Sequence, residues 1–243
     1  MLSAFRKVLP NEDCIFFGDT KNMPYGEKTK EQLISYSEKA FEFFEKMDVK
    51  AVVMACNTTS AVVYEELKDK YNFKLYPLIQ SVAKILSGMK LKSVGVFATS
   101  ATVNSKAYSK NINKYNPSTK VIEIDCPQWV KFVENDMVNS IEARVSVEKH
   151  LEKMLSFSPE KIVLGCTHYP FLTEVLSMYA DEDMFINPAD IYVDFIKDDL
   201  KKHNMLNPSE KNGIDKFYVS SEPDKFIAAG KRFYDVKDCK LVS

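Results

Sequence analysis

Short apolar runs alternate with longer stretches of helical periodicity along the whole chain. The runs are continuously apolar, which is typical of strands covered on both faces. The clearest helical pattern extends from Lys30 to Met47, with apolar side chains along one side. The strand candidates are residues 14–17, 49–55, 93–98, 120–125, 161–164, 184–186 and 216–219. The other helix candidates are residues 60–70, 105–114, 129–135, 170–179, 191–203 and 224–233. This order predicts an α/β fold of parallel sheets with covering helices.

The chain length allows one large domain or two smaller ones. No long Pro-, Gly- or Ser-rich linker divides the 243 residues, so we expect short joints near residues 77–81 and 187–189. Two joints make one domain an insertion within the other. We therefore predict a first α/β domain of residues 1–79 plus 188–243, which holds both chain ends, and a second of residues 80–187.

Composition narrows the class of protein. Lys and Arg number 33 against 34 Asp and Glu, a formal net charge of -1, which argues against a nucleic-acid partner. No apolar run is long enough to span a bilayer, and the N-terminal residues do not resemble a signal peptide. The five cysteines form no C-x-x-C pair, and no His lies at zinc-ligand spacing from two of them. We expect a cytoplasmic protein with reduced thiols, no membrane partner and no metal site.

Two similar units contain the most informative cysteines. Residues 50–61 read Lys-Ala-Val-Val-Met-Ala-Cys-Asn-Thr-Thr-Ser-Ala, and residues 161–170 read Lys-Ile-Val-Leu-Gly-Cys-Thr-His-Tyr-Pro. In each unit an apolar strand ends in a small residue, then Cys, then polar side chains before a helix. Ligands of parallel sheets bind at the carboxyl ends of strands, so we expect Cys56 and Cys166 to face one crevice.

This position predicts acid/base chemistry. A helix N-terminus lowers the pKa of a thiol, and its N–H groups, with Asn57, Thr58 and Thr167, can bind a carboxylate. Two thiols on opposite sides of a small anion suit inversion at a carbon acid, because one removes the α-proton and the other returns one to the opposite face. No lysine motif for pyridoxal phosphate is evident, so we expect no cofactor. A structural role for each turn and a disulfide between them are the alternatives.

The two units resemble the catalytic signatures of glutamate racemases, in the aspartate/glutamate racemase superfamily. Residues 17–20 (Phe-Gly-Asp-Thr) with 24–26 (Pro-Tyr-Gly) resemble that family's substrate loop, and residues 98–103 (Ala-Thr-Ser-Ala-Thr-Val) resemble the turn that opens its second domain. The resemblance extends over essentially the whole chain. It implies two similar domains in a pseudo-two-fold arrangement with the active site in the cleft between them. It also implies cofactor-independent interconversion of L- and D-glutamate, which supplies D-glutamate for peptidoglycan and so serves cell-wall biogenesis and cell shape.

The resemblance assigns roles to particular residues. It implies that Cys56 and Cys166 are the acid/base thiols, that His168 assists Cys166, and that Glu134 is a supporting carboxylate, although an acid at a helix end can equally be solvated. The residues that it places against the substrate are Pro24, Tyr25, Gly26, Asn57, Thr58, Thr102, Thr167 and His168. A homodimer is compatible with it.

One feature departs from the family pattern. Glutamate racemases usually open with a strand ending in Asp-Ser-Gly, whose Asp assists the first cysteine and whose Ser binds substrate, whereas here Met1 stands just before the first helix. We expect exposed apolar surface in the first domain's sheet as a result. Three hypotheses stay open: an active glutamate racemase, with this start or one further upstream; an impaired homologue that binds an amino acid or a protein; and a racemase of aspartate or another small acid.

Overall fold

The structure is a computed structural model, and it describes residues 1–242. The strands are β1 (Cys14–Gly18), β2 (Ala51–Met54), β3 (Lys74–Pro77), β4 (Ser93–Ala98), β5 (Lys120–Asp125), β6 (Lys161–Gly165), β7 (Phe185–Ile186), β8 (Asp215–Val219) and β9 (Lys240–Leu241). The helices are α1 (Leu2–Val8), α2 (Lys30–Lys46), α3 (Asn57–Val62), α4 (Tyr64–Leu67), α5 (Leu78–Gly88), α6 (Ser100–Ser105), α7 (Ala107–Tyr115), α8 (Pro127–Glu134), α9 (Ile141–Leu155), α10 (Thr173–Leu176), α11 (Pro188–Lys202) and α12 (Pro223–Gly230).

The prediction of an α/β fold built on parallel sheets is confirmed. One sheet has the order β5-β4-β6-β7, and every pairing in it is parallel. Ala98 at the end of β4 pairs with Gly165 at the end of β6. The carboxyl ends of these two strands therefore open at one edge of the sheet, where a parallel arrangement presents its ligand site.

The strands of the half that contains both chain ends form two separate ladders, β1-β8-β9 and β2-β3. All five residues of β1 are only partly buried, whereas all but the first residue of β4 are buried. Apolar side chains such as Ile15 and Phe17 thus keep some contact with solvent in this half. The exposed apolar surface expected beside a missing first strand stays a prediction.

A single apolar cluster joins the two halves of the molecule. It contains Leu9, Tyr76 and Tyr192 from the half with the chain ends, and Val94, Tyr108 and Val163 from the other half. Helices α5, α7 and α11 pack together in it. Because both halves bury side chains in the same cluster, their relative position is set by close packing. The exact boundaries after residues 79 and 187 stay a prediction.

Several elements differ from the sequence-based prediction. The strand β3 and the helix α5, which meet at Pro77, were not among the predicted elements, and the joint expected at residues 77–81 stays a prediction. The sequence reading also missed α9, whose buried side chains are separated by charged ones. Residues 169–172 form a 3-10 turn before the one-turn helix α10, so the predicted helix at 170–179 is mostly absent.

None of the helices within residues 1–242 is long and apolar enough to cross a membrane.

The shared core predicts cooperative unfolding. Leu86 on α5 is 2% exposed within the cluster that joins the halves, so Leu86→Ala should lower the free energy of unfolding by about 2–5 kcal/mol through lost burial and a cavity. Met89, at the end of the same helix, is 43% exposed, and Met89→Ala should change it by less than about 0.5 kcal/mol.

Urea unfolding measures both effects by circular dichroism and by fluorescence of Trp129, the single tryptophan. The two probes should report coincident transitions. Separate transitions, or a loss below about 1 kcal/mol for Leu86→Ala, would contradict the shared core.

Candidate active site

The two predicted cysteine turns each come after a strand, and the two strands belong to different sheets. Cys56 comes just after β2 and has an extended backbone at the N-terminal boundary of α3. Its side chain makes no capping hydrogen bond, and the thiol is partly exposed. Cys166 directly follows β6 and begins a turn instead of an α-helix. The thiols are close enough for a charge on Cys56 to raise the pKa of Cys166.

Three buried threonine hydroxyls join α3 to the turn after β4. The Oγ1 of Thr58 lies 3.0 Å from the Oγ1 of Thr99 and 3.4 Å from that of Thr102. Thr99 and Thr102 are 3.1 Å apart, and Thr99 Oγ1 also caps α6 by accepting from the Thr102 N–H. A buried hydroxyl is costly unless it is hydrogen-bonded, so this triangle favours one docking position of the two halves.

The substrate loop predicted by the resemblance lies against this triangle. Pro24 is exposed and precedes a 3-10 turn at Tyr25–Glu27. Gly26 approaches Thr99 so closely that an added Cβ would lie 3.2 Å from the Thr99 Cβ. A side chain at Gly26 would therefore have to displace Thr99.

Asp19 is the residue that holds the loop. Its Oδ2 accepts a 2.6 Å hydrogen bond from the Tyr25 hydroxyl, and its carboxylate also accepts from Asn22 Nδ2 and Ser220 Oγ. Burial, followed by the hydrogen bond to Asp19, raises the pKa of Tyr25 well above its usual value, so its phenol stays protonated and donates. Asp19 thereby connects the loop to Ser220, just after β8.

His168 connects Cys166 to Glu134. Its Nδ1 lies 3.7 Å from Cys166 Sγ and 3.4 Å from Thr167 Oγ1, while its Nε2 lies 3.3 Å from Glu134 Oε1. With Nε2–H donating to the carboxylate, neutral His168 has Nδ1 free to accept from the thiol. Glu134, the last residue of α8, is thus the partner of a site histidine in addition to being solvated.

The expectation that both thiols have lowered pKa values is wrong for Cys166. Burial raises the pKa of Cys166 to about 12, and nearby hydrogen bonds from the His168 and Thr167 region oppose this only in part. The chain after Cys166 continues as a 3-10 turn, so the α-helical N-terminus that was expected to stabilise a thiolate is missing. Cys166 is therefore a thiol at neutral pH.

The structure brings most of the predicted residues to this edge, but in unequal environments. Asn57, Thr58 and Thr102 are buried, Tyr25, Gly26 and His168 are partly buried, and Pro24 and Thr167 are exposed. Thr99 and Asp19 lie within motifs that the sequence analysis quoted, but neither was predicted as a site residue. Each directly follows a strand end, which is the same positional signal that identified the cysteines.

The five cysteines are free, so the alternative of a disulfide between the two turns is not realised. Over residues 1–242, no cluster of three or more His, Cys, Asp and Glu side chains is arranged to hold a metal ion.

Parallel α/β sheets with a cysteine after each of two strand ends, one of them beside a His–Glu pair, define an enzyme of the racemase class. The sequence profile of the Asp/Glu/Hydantoin racemase family matches residues 1–196. A glutamate racemase of Thermoanaerobacter sp. (strain X514) is 36% identical over 229 residues, which cover 93% of this chain and 85% of that protein. The chain therefore belongs to the Asp/Glu/Hydantoin racemase family.

Solved structures agree with this assignment. Glutamate racemase from Francisella tularensis subsp. tularensis SCHU S4, in complex with D-glutamate, superposes with a TM-score of 0.92 at 29% identity and covers 100% of this chain and 92% of its own. Glutamate racemase from Thermus thermophilus, in complex with beta-chloro-D-alanine, superposes with a TM-score of 0.87 at 28% identity. This match covers 100% of this chain and 91% of the Thermus thermophilus chain.

The raised pKa of Cys166 predicts how this thiol reacts in the unliganded protein. Only the thiolate is alkylated, so the iodoacetamide rate at Cys166 should rise about tenfold per pH unit from pH 7 to 10 without a plateau. Mass spectrometry of the Cys166 peptide measures the rate, and Cys166→Ser identifies the signal. A rate that flattens between about pH 9 and 10 would indicate an ordinary pKa, and a plateau at lower pH would indicate a lowered one; either would contradict this account.

Proposed function

We propose that this enzyme interconverts L- and D-glutamate without a cofactor, with Cys56 and Cys166 as the two acid/base groups, and that its product supplies peptidoglycan synthesis. The observation that supports this most directly is the pair of cysteine turns close enough to interact electrostatically, one of them with a histidine relay. The relatives' names and the D-glutamate in the Francisella tularensis structure point to the substrate.

The proposed reaction needs one thiolate and one thiol. The thiolate takes the α-proton of the amino acid, and the bond electrons remain on the α-carbon as a carbanion. The thiol on the opposite side then delivers its proton to that carbon and becomes the thiolate. Each turnover inverts the carbon and exchanges the protonation states of the two cysteines, so the reverse reaction uses the same groups in opposite order.

The environment of Cys166 supports a state in which one cysteine is a thiolate and the other a thiol. Burial and a charge on Cys56 both raise the pKa of Cys166, so two simultaneous thiolates are disfavoured. When Cys166 must act as the base, His168 Nδ1 can accept its proton, and the resulting imidazolium is stabilised by Glu134. In the reverse direction His168 returns the proton to Cys166.

Substrate binding is assigned to the polar groups around the thiols. The side chains of Asn57 and Thr58 and the loop at residues 24–26 lie on the side of Cys56, and Thr167 and His168 lie on the side of Cys166. Hydroxyls, amides and backbone N–H groups are suitable donors for a carboxylate. We assign the cleft to the junction of residues 1–79 plus 188–243 with residues 80–187.

Racemisation of glutamate is tested by circular dichroism of L-glutamate with the protein and by exchange of the α-proton for deuterium. Wild type should lose the optical signal to zero and incorporate deuterium. Cys56→Ser and Cys166→Ser should each lower the racemisation rate by about 10²-fold or more, since a serine hydroxyl is a far weaker acid/base group.

Cys14→Ser is the matched control, because its thiol bonds to the Glu12 carbonyl in a different part of the fold and should not affect the rate. Binding of glutamate without α-proton exchange in wild type would support an amino-acid-binding homologue instead. Faster exchange of aspartate than of glutamate would support the other substrate.

A further inference from the structure

Tyr108 lies between the two cysteine turns, and neither the sequence analysis nor the proposed mechanism gave it a role. It is on α7 and is completely buried. Its hydroxyl donates a 2.7 Å hydrogen bond to Asn57 Oδ1, the side chain next to Cys56 in the chain. Its ring edge faces Gly165, the residue before Cys166, where an added Cβ would lie 3.1 Å from Tyr108 Cε2.

The hydrogen bond determines which way the Asn57 carboxamide faces. A carboxamide is planar, with its oxygen and its NH₂ group on opposite edges. With Oδ1 held by Tyr108, the Nδ2 donors must point away from α7. Burial raises the pKa of Tyr108 far above its usual value, so the phenol keeps its proton and remains a donor at neutral pH.

The Tyr108 ring also lies close to the strand end before Cys166. Gly165 has no side chain, which allows the Tyr108 ring to lie directly against the strand end that leads to Cys166. The hydroxyl is on the ring carbon next to Cε2, and it reaches Asn57, which directly follows Cys56. The hydroxyl end of one rigid aromatic side chain therefore contacts the residues adjacent to both cysteines.

We propose that Tyr108 is a positioning residue for the substrate carboxylate: by holding Asn57 Oδ1, it directs the Asn57 NH₂ donors into the cleft beside Cys56. This inference rests on the proposed function, since it assigns a task to a residue of the glutamate site. Tyr108 acts through Asn57 and touches neither the substrate nor the reacting atoms.

A close control is available in Tyr192. It is also completely buried, belongs to the same apolar cluster, and donates a single 2.6 Å hydrogen bond, to the Tyr76 carbonyl. Tyr192→Phe and Tyr108→Phe each remove one buried hydroxyl from the same core. A merely structural role for the Tyr108 hydroxyl would make the two variants behave alike.

Steady-state kinetics on glutamate separate the two roles. Tyr108→Phe should raise KM about tenfold and change kcat less than about threefold, because a misdirected Asn57 weakens binding of both substrate and transition state. Tyr192→Phe should leave KM unchanged, although it should change Tm by about as much as Tyr108→Phe does. In an Asn57→Ala background the KM effect of Tyr108→Phe should vanish, as expected for two residues that act as one unit.

A measurement without substrate keeps this inference separate from the proposed function. The side-chain NH₂ resonance of Asn57, identified by its loss in Asn57→Ala, should shift in Tyr108→Phe and stay in place in Tyr192→Phe. If wild type fails to racemise glutamate while this shift is seen, the proposed function is lost but the control of Asn57 by Tyr108 stands. An unshifted resonance, or equal KM values in the two Phe variants, would overturn the inference.

Discussion

Buried polar groups at the junction of the two halves must find their partners across that junction, and the geometry of the site depends on this constraint. Asn57 and Thr58 belong to one half, whereas Thr99, Thr102 and Tyr108 belong to the other, and nearly all of them are excluded from water. An unpaired amide or hydroxyl in such a place costs about 1–3 kcal/mol. The apolar cluster brings the halves together, but it is non-directional, so the hydrogen bonds select one docking position.

The two cysteines occupy different environments in spite of their similar sequences. Cys56 is partly exposed and adjoins the Asn57–Tyr108 and threonine contacts, which are shared between the halves. Cys166 is buried, its pKa is raised, and its proton partner is a histidine backed by a carboxylate. In the proposed reaction, which runs in both directions, each thiol acts as acid and as base. The two cysteines are therefore similar in their position after a strand but different in the groups that surround each thiol.

Sequence pattern alone predicted most of the fold because parallel strands buried on both faces are continuously apolar. It failed where local signals compete. It did not predict β3 and α5, between which the chain passes directly at Pro77. The run after Cys166 contains Pro170 and helix-compatible residues, but it forms a 3-10 turn followed by a single helical turn. The reversed pKa prediction for Cys166 follows from that error and from burial, which cannot be read from neighbouring residues.

The sequence by itself determined which side chains stand at the ends of the strands: Cys56 with Asn57 and Thr58, Cys166 with Thr167 and His168, and Thr99 after β4. This is local information, because a strand, its terminal residue and the following turn are consecutive in the chain. Only the tertiary structure decided that Asp19 holds Tyr25, that Glu134 reaches His168, and that Tyr108 reaches Asn57, 51 residues away. Those contacts depend on how deeply each group is buried and on what the other half of the molecule places opposite it, and both result from packing of the whole chain.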